Sequence, residues 1–251
     1  MHIKVKNLSV TYFLKSINAG YFRKQLINKF FKKKEKEESK LICALQNLNF
    51  ELREGDRLGV IGPNGSGKST LIKCLSGIIY PNKDSVLDIE GACLPIIEPG
   101  ALAEATDTIF NNIILLGLLM GFEKKTILEK INSILEFSEL EDYKNLRYAS
   151  LSTGMKLKLL FSTVFILDSK IFLIDEFLTT GDERFRKKGY QFLEKNKNNE
   201  RIIVLCSHDR SAIKDFCNKI LILNKGKQEY FGNVEEGYKI YDKLMGVTNI
   251  L

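Results

Sequence analysis

The chain has 251 residues, 44% of them apolar, which suits one large domain or two small ones with a sizeable core. A formal charge of +7 favours acidic partners: nucleotides, nucleic acid or anionic lipid. The longest apolar run, IILLGLLMGF at 113–122, is about half of a membrane span, and the five cysteines show neither a CxxC pair nor metal-type spacing; four of them sit in apolar surroundings and read as small core residues in a reducing cytosol.

In chain order, HIKVKNLSVTYF alternates apolar and polar residues and predicts a strand rather than a secretory leader. Residues 15–40 break that pattern. Eleven Lys/Arg against three acids fall within residues 1–40. Phe22, Leu26 and Phe30 recur every four residues with Ile27 and Phe31 beside them, which predicts a short basic amphipathic helix before the solvated charge run KKKEKEE. ALQNLNFELREGDRLGVIG predicts two strands across a turn at Glu54–Asp56, the second running into glycines and the helix STLIKCLSGII. Residues 81–98 read as short strands and 104–150 as mostly helical. A helix from 153, the apolar strand IFLID, a helix near 183–195 and the strands RIIVLCS and KILIL follow. The turn NKGK leads to a strand QEYFG and a terminal helix from Glu235. Apolar strands alternating with helices predict a parallel sheet covered on both faces, and the helical block at 104–165 interrupts it as a subdomain.

Three stretches carry chemistry. GPNGSGKST, 62–70, lies between a predicted strand and helix and matches the phosphate-loop pattern. Gly62, Gly65 and Gly67 let the backbone curl so that the N–H groups of the loop, those of Asn64 and Ser66 among them, face phosphates. Lys68 would reach the outer phosphates, Ser69 would hold Mg²⁺, and Thr70 closes the motif as a further nucleotide-binding residue, with the helix beginning near Lys68. IFLIDE, 171–176, is a buried strand ending in acids: Asp175 suits a magnesium shell, and Glu176 can polarise an attacking water. VLCSHD, 204–209, is read as a strand ending at His208, in position to contact a γ-phosphate. A fourth stretch, LSTGMKLKL at 151–159, sets Ser152, Thr153 and Gly154 ahead of an apolar helix. Such residues are ordinary start signals, and they also leave a bare helix N-terminus that can bind an anion.

The order GPNGSGKST, LSTGM, IFLIDE, SHD resembles the ATP-binding subunit of an ABC transporter over nearly the whole chain. The resemblance implies an α/β P-loop NTPase fold with a mixed sheet core, an antiparallel β subdomain and an inserted helical subdomain. It implies one ABC ATPase domain over 1–251, with a basic insertion at about 15–40, the helical subdomain at about 100–165 and a C-terminal helix at about 235–251. It implies ATP and Mg²⁺ as cofactors and a head-to-tail homodimer, in which Ser152 and the Gly154 backbone close on the γ-phosphate held by the other subunit. Tyr12 fits the aromatic that stacks on adenine, with Phe13 as the nearby alternative. The signature with methionine, Asp175-Glu176 followed by Gly181-Asp182, and the basic insertion resemble the polysaccharide exporters, which move O-antigen, capsule or teichoic-acid chains. Glu98, in Glu98-Pro99-Gly100-Ala101-Leu102, stands near the place of the magnesium-binding glutamine.

The expectation is an ATPase subunit peripheral to the cytoplasmic face of the inner membrane. It works with two copies of a transmembrane permease subunit, touches an anionic membrane surface and uses no nucleic acid. The alternatives are a soluble ABC-type ATPase acting on nucleic acid or translation, which would use the positive charge, and a regulatory nucleotide-binding module, against which Asp175, Glu176 and His208 speak.

Overall fold

The computed structural model describes residues 1–15, 39–91, 93–96, 102–175 and 200–246, together with 184, 185, 187–189 and 191. The predicted basic helix at 22–31, Glu98, Glu176, Asp182 and most of the helix near 183–195 lie outside the described residues.

Nine strands form one sheet: β1 (His2–Lys15), β2 (Ser39–Arg53), β3 (Arg57–Ile61), β4 (Val86–Glu90), β5 (Cys93–Ile96), β6 (Ile171–Asp175), β7 (Ile202–Cys206), β8 (Lys219–Asn224) and β9 (Lys227–Asn233). Their spatial order is β4-β1-β2-β9-β8-β3-β7-β6-β5. The strands β8, β3, β7, β6 and β5 run parallel, whereas β4-β1-β2 and the β8–β9 hairpin are antiparallel. The sheet is therefore mixed, where simple alternation suggested a parallel one. β2 and β3 are joined at Glu54–Asp56 as expected, yet they do not pair: β3 inserts between β7 and β8, and β2 bonds β1 and β9.

The central strands are apolar through their middles, with Arg57, Asp175, Lys219 and Asn224 only at their ends, because both faces are covered. Successive side chains alternate between two cores. Leu58, Val60, Ile171, Leu173, Ile202, Val204, Leu221 and Leu223 face α1 (Lys68–Leu75) and the antiparallel strands. Ile61, Phe172, Ile174, Ile203, Leu205, Ile220 and Ile222 face the other way. That second face holds α2 (Ile109–Leu119), α3 (Lys124–Ser138), α4 (Thr153–Ile166), α5 (Arg210–Phe216) and α6 (Val234–Met245). Phe165 on α4 meets Phe172 on β6 edge-to-face at 5.6 Å, and Phe161 and Phe137 extend the cluster to Phe185. The helical block thus shares one apolar core with the sheet.

The reading of a strand running to His208 is corrected. β7 ends at Cys206, because Asp209 caps α5 by accepting from the Ser211 and Ala212 amides, and the Ser207 hydroxyl accepts from Asp209 N at 3.0 Å. Residues 207–209 are consumed as a helix-entry turn.

Candidate nucleotide site

Register brings the predicted motifs to one edge. Val60 on β3 pairs with Cys206 on β7, which pairs with Asp175 on β6. One row across three strands therefore ends in the loop at 62–67, the turn at 207–209 and the Asp175 carboxylate, about 10 Å apart from first to last at the usual strand spacing. The crevice past the carboxyl ends of parallel strands is where ligands sit in open α/β sheets.

The loop before α1 is a cradle formed by close approach. A Cβ on Gly62 would lie 2.1 Å from the Leu223 carbonyl oxygen, and one on Gly67, at φ 110°, would lie 2.7 Å from Leu45 and 2.8 Å from the Ala44 oxygen. Only glycine fits either place. Lys68 is 6% exposed, and its ammonium donates to the carbonyls of Gly62 at 2.9 Å and Pro63 at 3.3 Å. Those loop oxygens hold the cation at the mouth of the cradle. Ser66 is 2% exposed, and among the described residues its hydroxyl has no hydrogen-bond partner, a cost that a ligand oxygen would relieve. The residues present therefore fit a polyphosphate.

Beside the cradle lies a cavity of about 710 Å³, lined by the loop, Ser69, Thr70 and Tyr12. Tyr12 donates from its hydroxyl to Thr70 Oγ1 at 3.4 Å, whereas Phe13 is 74% exposed and does not line it. Sequence reasoning missed the remaining walls: Ile42, Cys43 and Ala44 of β2, and Lys225 and Gly226 of the β8–β9 turn. Ile42 and Cys43 pair with Tyr12 and Thr11, and Ala44 falls at the register shift beside them, so their place follows from strand pairing rather than from a motif. The turn could be found only through its contact with the loop. Cys43 is exposed, in contrast to the buried Cys74, Cys206 and Cys217, whose thiols burial makes weakly acidic for Cys74 (about 11) and Cys217 (about 12).

Ser69 and Asp175 are the described donors suited to Mg²⁺. Among the described residues no cluster of three metal-type side chains exists, and Mg²⁺ beside phosphates needs none, since one or two protein oxygens suffice. His208 is exposed in the turn after β7. Ser152 and Gly154 stand apart from these residues: neither lines the cavity. Ser152 caps α4, its hydroxyl accepting from Met155 N at 3.2 Å, and Ser152, Thr153 and Gly154 are exposed, with nothing within 4 Å of a Cβ placed on Gly154.

A family described as "ABC transporter" matches residues 45–179. The chain is 36% identical to the "Teichoic acids export ATP-binding protein TagH" of Bacillus anthracis over 250 residues, 99% of this chain and 44% of that protein. It is 34% identical to the "O-antigen export system ATP-binding protein RfbE" of Yersinia enterocolitica over 224 residues, 88% of this chain and 93% of that one. The chain thus spans less than half of the first relative and nearly all of the second. A solved "ATP binding subunit of ABC transporter" superposes with a TM-score of 0.74 at 20% identity, covering 96% of this chain and 93% of that one, and shares its fold. With its phosphate loop, acidic strand end and this fold, the chain belongs to the ABC transporter family of ATP-binding proteins.

Proposed function

We propose that the chain is the ATP-hydrolysing subunit of an exporter that moves a polysaccharide or polyol-phosphate polymer across the cytoplasmic membrane. The observation that carries this is the glycine cradle with Lys68 at the sheet edge that also bears Asp175 and His208. The relatives named for teichoic-acid and O-antigen export support that cargo over nucleic acid.

On this reading Tyr12 stacks on adenine and the backbone of 62–67 encloses the phosphates. Lys68 exchanges two loop carbonyls for the outer phosphate oxygens. Ser69 and Asp175, with Glu98, hold Mg²⁺, which when bound draws electron density from the outer phosphates. Glu176 accepts the proton of the attacking water, and His208 donates a hydrogen bond to the γ-phosphate. Asp182, six positions after Glu176 in the sequence, takes part in nucleotide binding. Ser152 and Gly154, exposed at the start of α4, meet the γ-phosphate of a second subunit, and two such subunits drive two permease copies from the cytoplasmic face of the membrane. Glu176→Gln tests the chemistry: the variant should bind ATP normally, accumulate as a dimer and turn over on the order of a thousandfold more slowly. Normal turnover would remove Glu176 from this role.

The lysines and apolar stripe of residues 20–36 supply the membrane contact, each cation adding about 1 kcal/mol near an anionic leaflet. Replacing Lys and Arg by Gln across 23–34 should abolish salt-sensitive binding to anionic liposomes and leave ATP hydrolysis unchanged. Undiminished liposome binding would refute that contact.

A further inference from the structure

The β8–β9 hairpin closes on two residues, Lys225 and Gly226, between the paired Asn224 and Lys227. Both have positive φ, 50° and 79°, the backbone that matches the twist of a two-residue hairpin. Asparagine, aspartate or glycine ordinarily takes the first of these places. Lysine carries a Cβ and has no short polar group to bond locally, so the left-handed conformation is strained for it. Strain of this kind marks places where a side chain is kept for another reason.

The position of the turn supplies one. Gly226 N–H donates to the Ser66 carbonyl at 3.0 Å, and the Gly226 carbonyl accepts from Gln46 N at 2.8 Å. A Cβ on Gly226 would lie 2.7 Å from the Ala44 oxygen, and the Gly226 Cα is 3.8 Å from where a Gly67 Cβ would sit. The turn is therefore wedged between the phosphate loop and Ala44 of β2, which lines the cavity on the Tyr12 side. Lys225 is one Cα step away, about 3.8 Å, and it is exposed and lines the same cavity as Lys68 and Tyr12. Its four-carbon stem is long enough to bring an ammonium to the junction of the two sides. In a nucleotide laid with its base at Tyr12 and its outer phosphates at Lys68, that junction holds the phosphate attached to the ribose.

We propose that Lys225 is a second phosphate-binding cation of this site, holding the ribose-proximal phosphate while Lys68 serves the outer ones, and that the strained turn is retained for it. The proposal rests on the cavity being the ATP site. A charge on the phosphate nearest the ribose acts equally on ATP and ADP, and it makes no contact specific to the base.

The test is nucleotide titration and thermal melting of the full chain with Lys225→Asn and Lys225→Arg, beside Lys68→Ala. Asparagine suits the turn, so Lys225→Asn should melt about 2–4 °C higher. It should bind ATP and ADP about five- to tenfold more weakly, by equal factors, with the loss shrinking at high salt. KM for ATP should rise while kcat at saturation is kept. Lys225→Arg should bind like the wild type. Unchanged affinity of Lys225→Asn overturns the proposal, as does an equal loss in Lys225→Arg, which would make it an effect of the turn. A larger loss for ATP than for ADP also overturns it by moving the contact to the outer phosphates. Should Lys68→Ala bind ATP as tightly as the wild type, the ATP-site reading itself fails instead.

Discussion

The loops at 62–67 and 151–154 both place a glycine before a helix, and they are built in opposite ways. The first is enclosed by its own chain: Gly62 and Gly67 touch the Leu223, Leu45 and Ala44 atoms so closely that no Cβ fits, and Lys68 is buried in bonds to the loop. The second lies in the open. Ser152, Thr153 and Gly154 are exposed, and a Cβ on Gly154 would meet nothing within 4 Å among the described residues outside its own helix turn. The first is enclosed by packing within the chain. The second is a surface that no packing among the described residues requires to be small, which suits the proposed contact with the γ-phosphate held by a second subunit.

Substitution should separate the two most strongly. Gly62→Ala drives a Cβ into the Leu223 carbonyl, so it should cost more than about 3 kcal/mol of stability and abolish ATP binding. Gly154→Asp removes a helical glycine and adds an acid to the first turn of α4. Folding should be unchanged or strengthened by up to about 1 kcal/mol, and ATP binding in the monomer should persist. If the proposed dimer is right, hydrolysis should fall on the order of a hundredfold, because the new carboxylate would repel the γ-phosphate held by the other subunit. Mixing Gly154→Asp with Lys68→Ala should then restore part of the activity, since one of the two composite sites carries neither defect. Dimers that form without any recovered activity would break the comparison, unless ATP trapping at the intact site shows that both sites must fire together.

The smallest effect belongs to a place remote from both loops and serves as their baseline. His2 lies between Asp88 at 3.0 Å and Glu90 at 3.2 Å on the outer antiparallel strands. The hydrogen bond to Asp88, foremost, raises its pKa above 6.5. A raised folded-state pKa means that the charged imidazole favours the fold. Its contribution is complete below about pH 6.5 and is lost as pH rises through the folded value. Because the pair is exposed, melting temperatures at pH 6 and pH 8 should differ between wild type and His2→Gln by only about 1–2 °C. ATP affinity should not change. A His2→Gln protein with the wild-type pH dependence would remove this contribution.

Much of the site was legible because its chemistry is local. The curl of GPNGSGKST needs glycines at fixed offsets before a lysine, and IFLID needs four apolar residues because that strand is covered on both faces. Sequence favoured Tyr12 over Phe13, but a strand's period of two sets neighbours on opposite faces without saying which face is covered. Packing puts Tyr12 on the cavity wall beside Thr70 and leaves Phe13 exposed. The end of β7 was misplaced because Ser207 and Asp209 bond locally to the helix entry, a preference that an apolar run does not announce.

The sequence alone therefore determined the motifs, the apolar strands and the family resemblance, since each depends on residues a few positions apart. Tertiary structure alone decided the neighbours. It set β3 between β7 and β8 rather than beside β2, and it aligned Val60, Cys206 and Asp175 in one row. It also carried the Lys225–Gly226 turn to the phosphate loop, where Gly226 bonds Ser66. Strand order depends on which apolar faces can be buried together over the whole chain, and no local pattern encodes that choice.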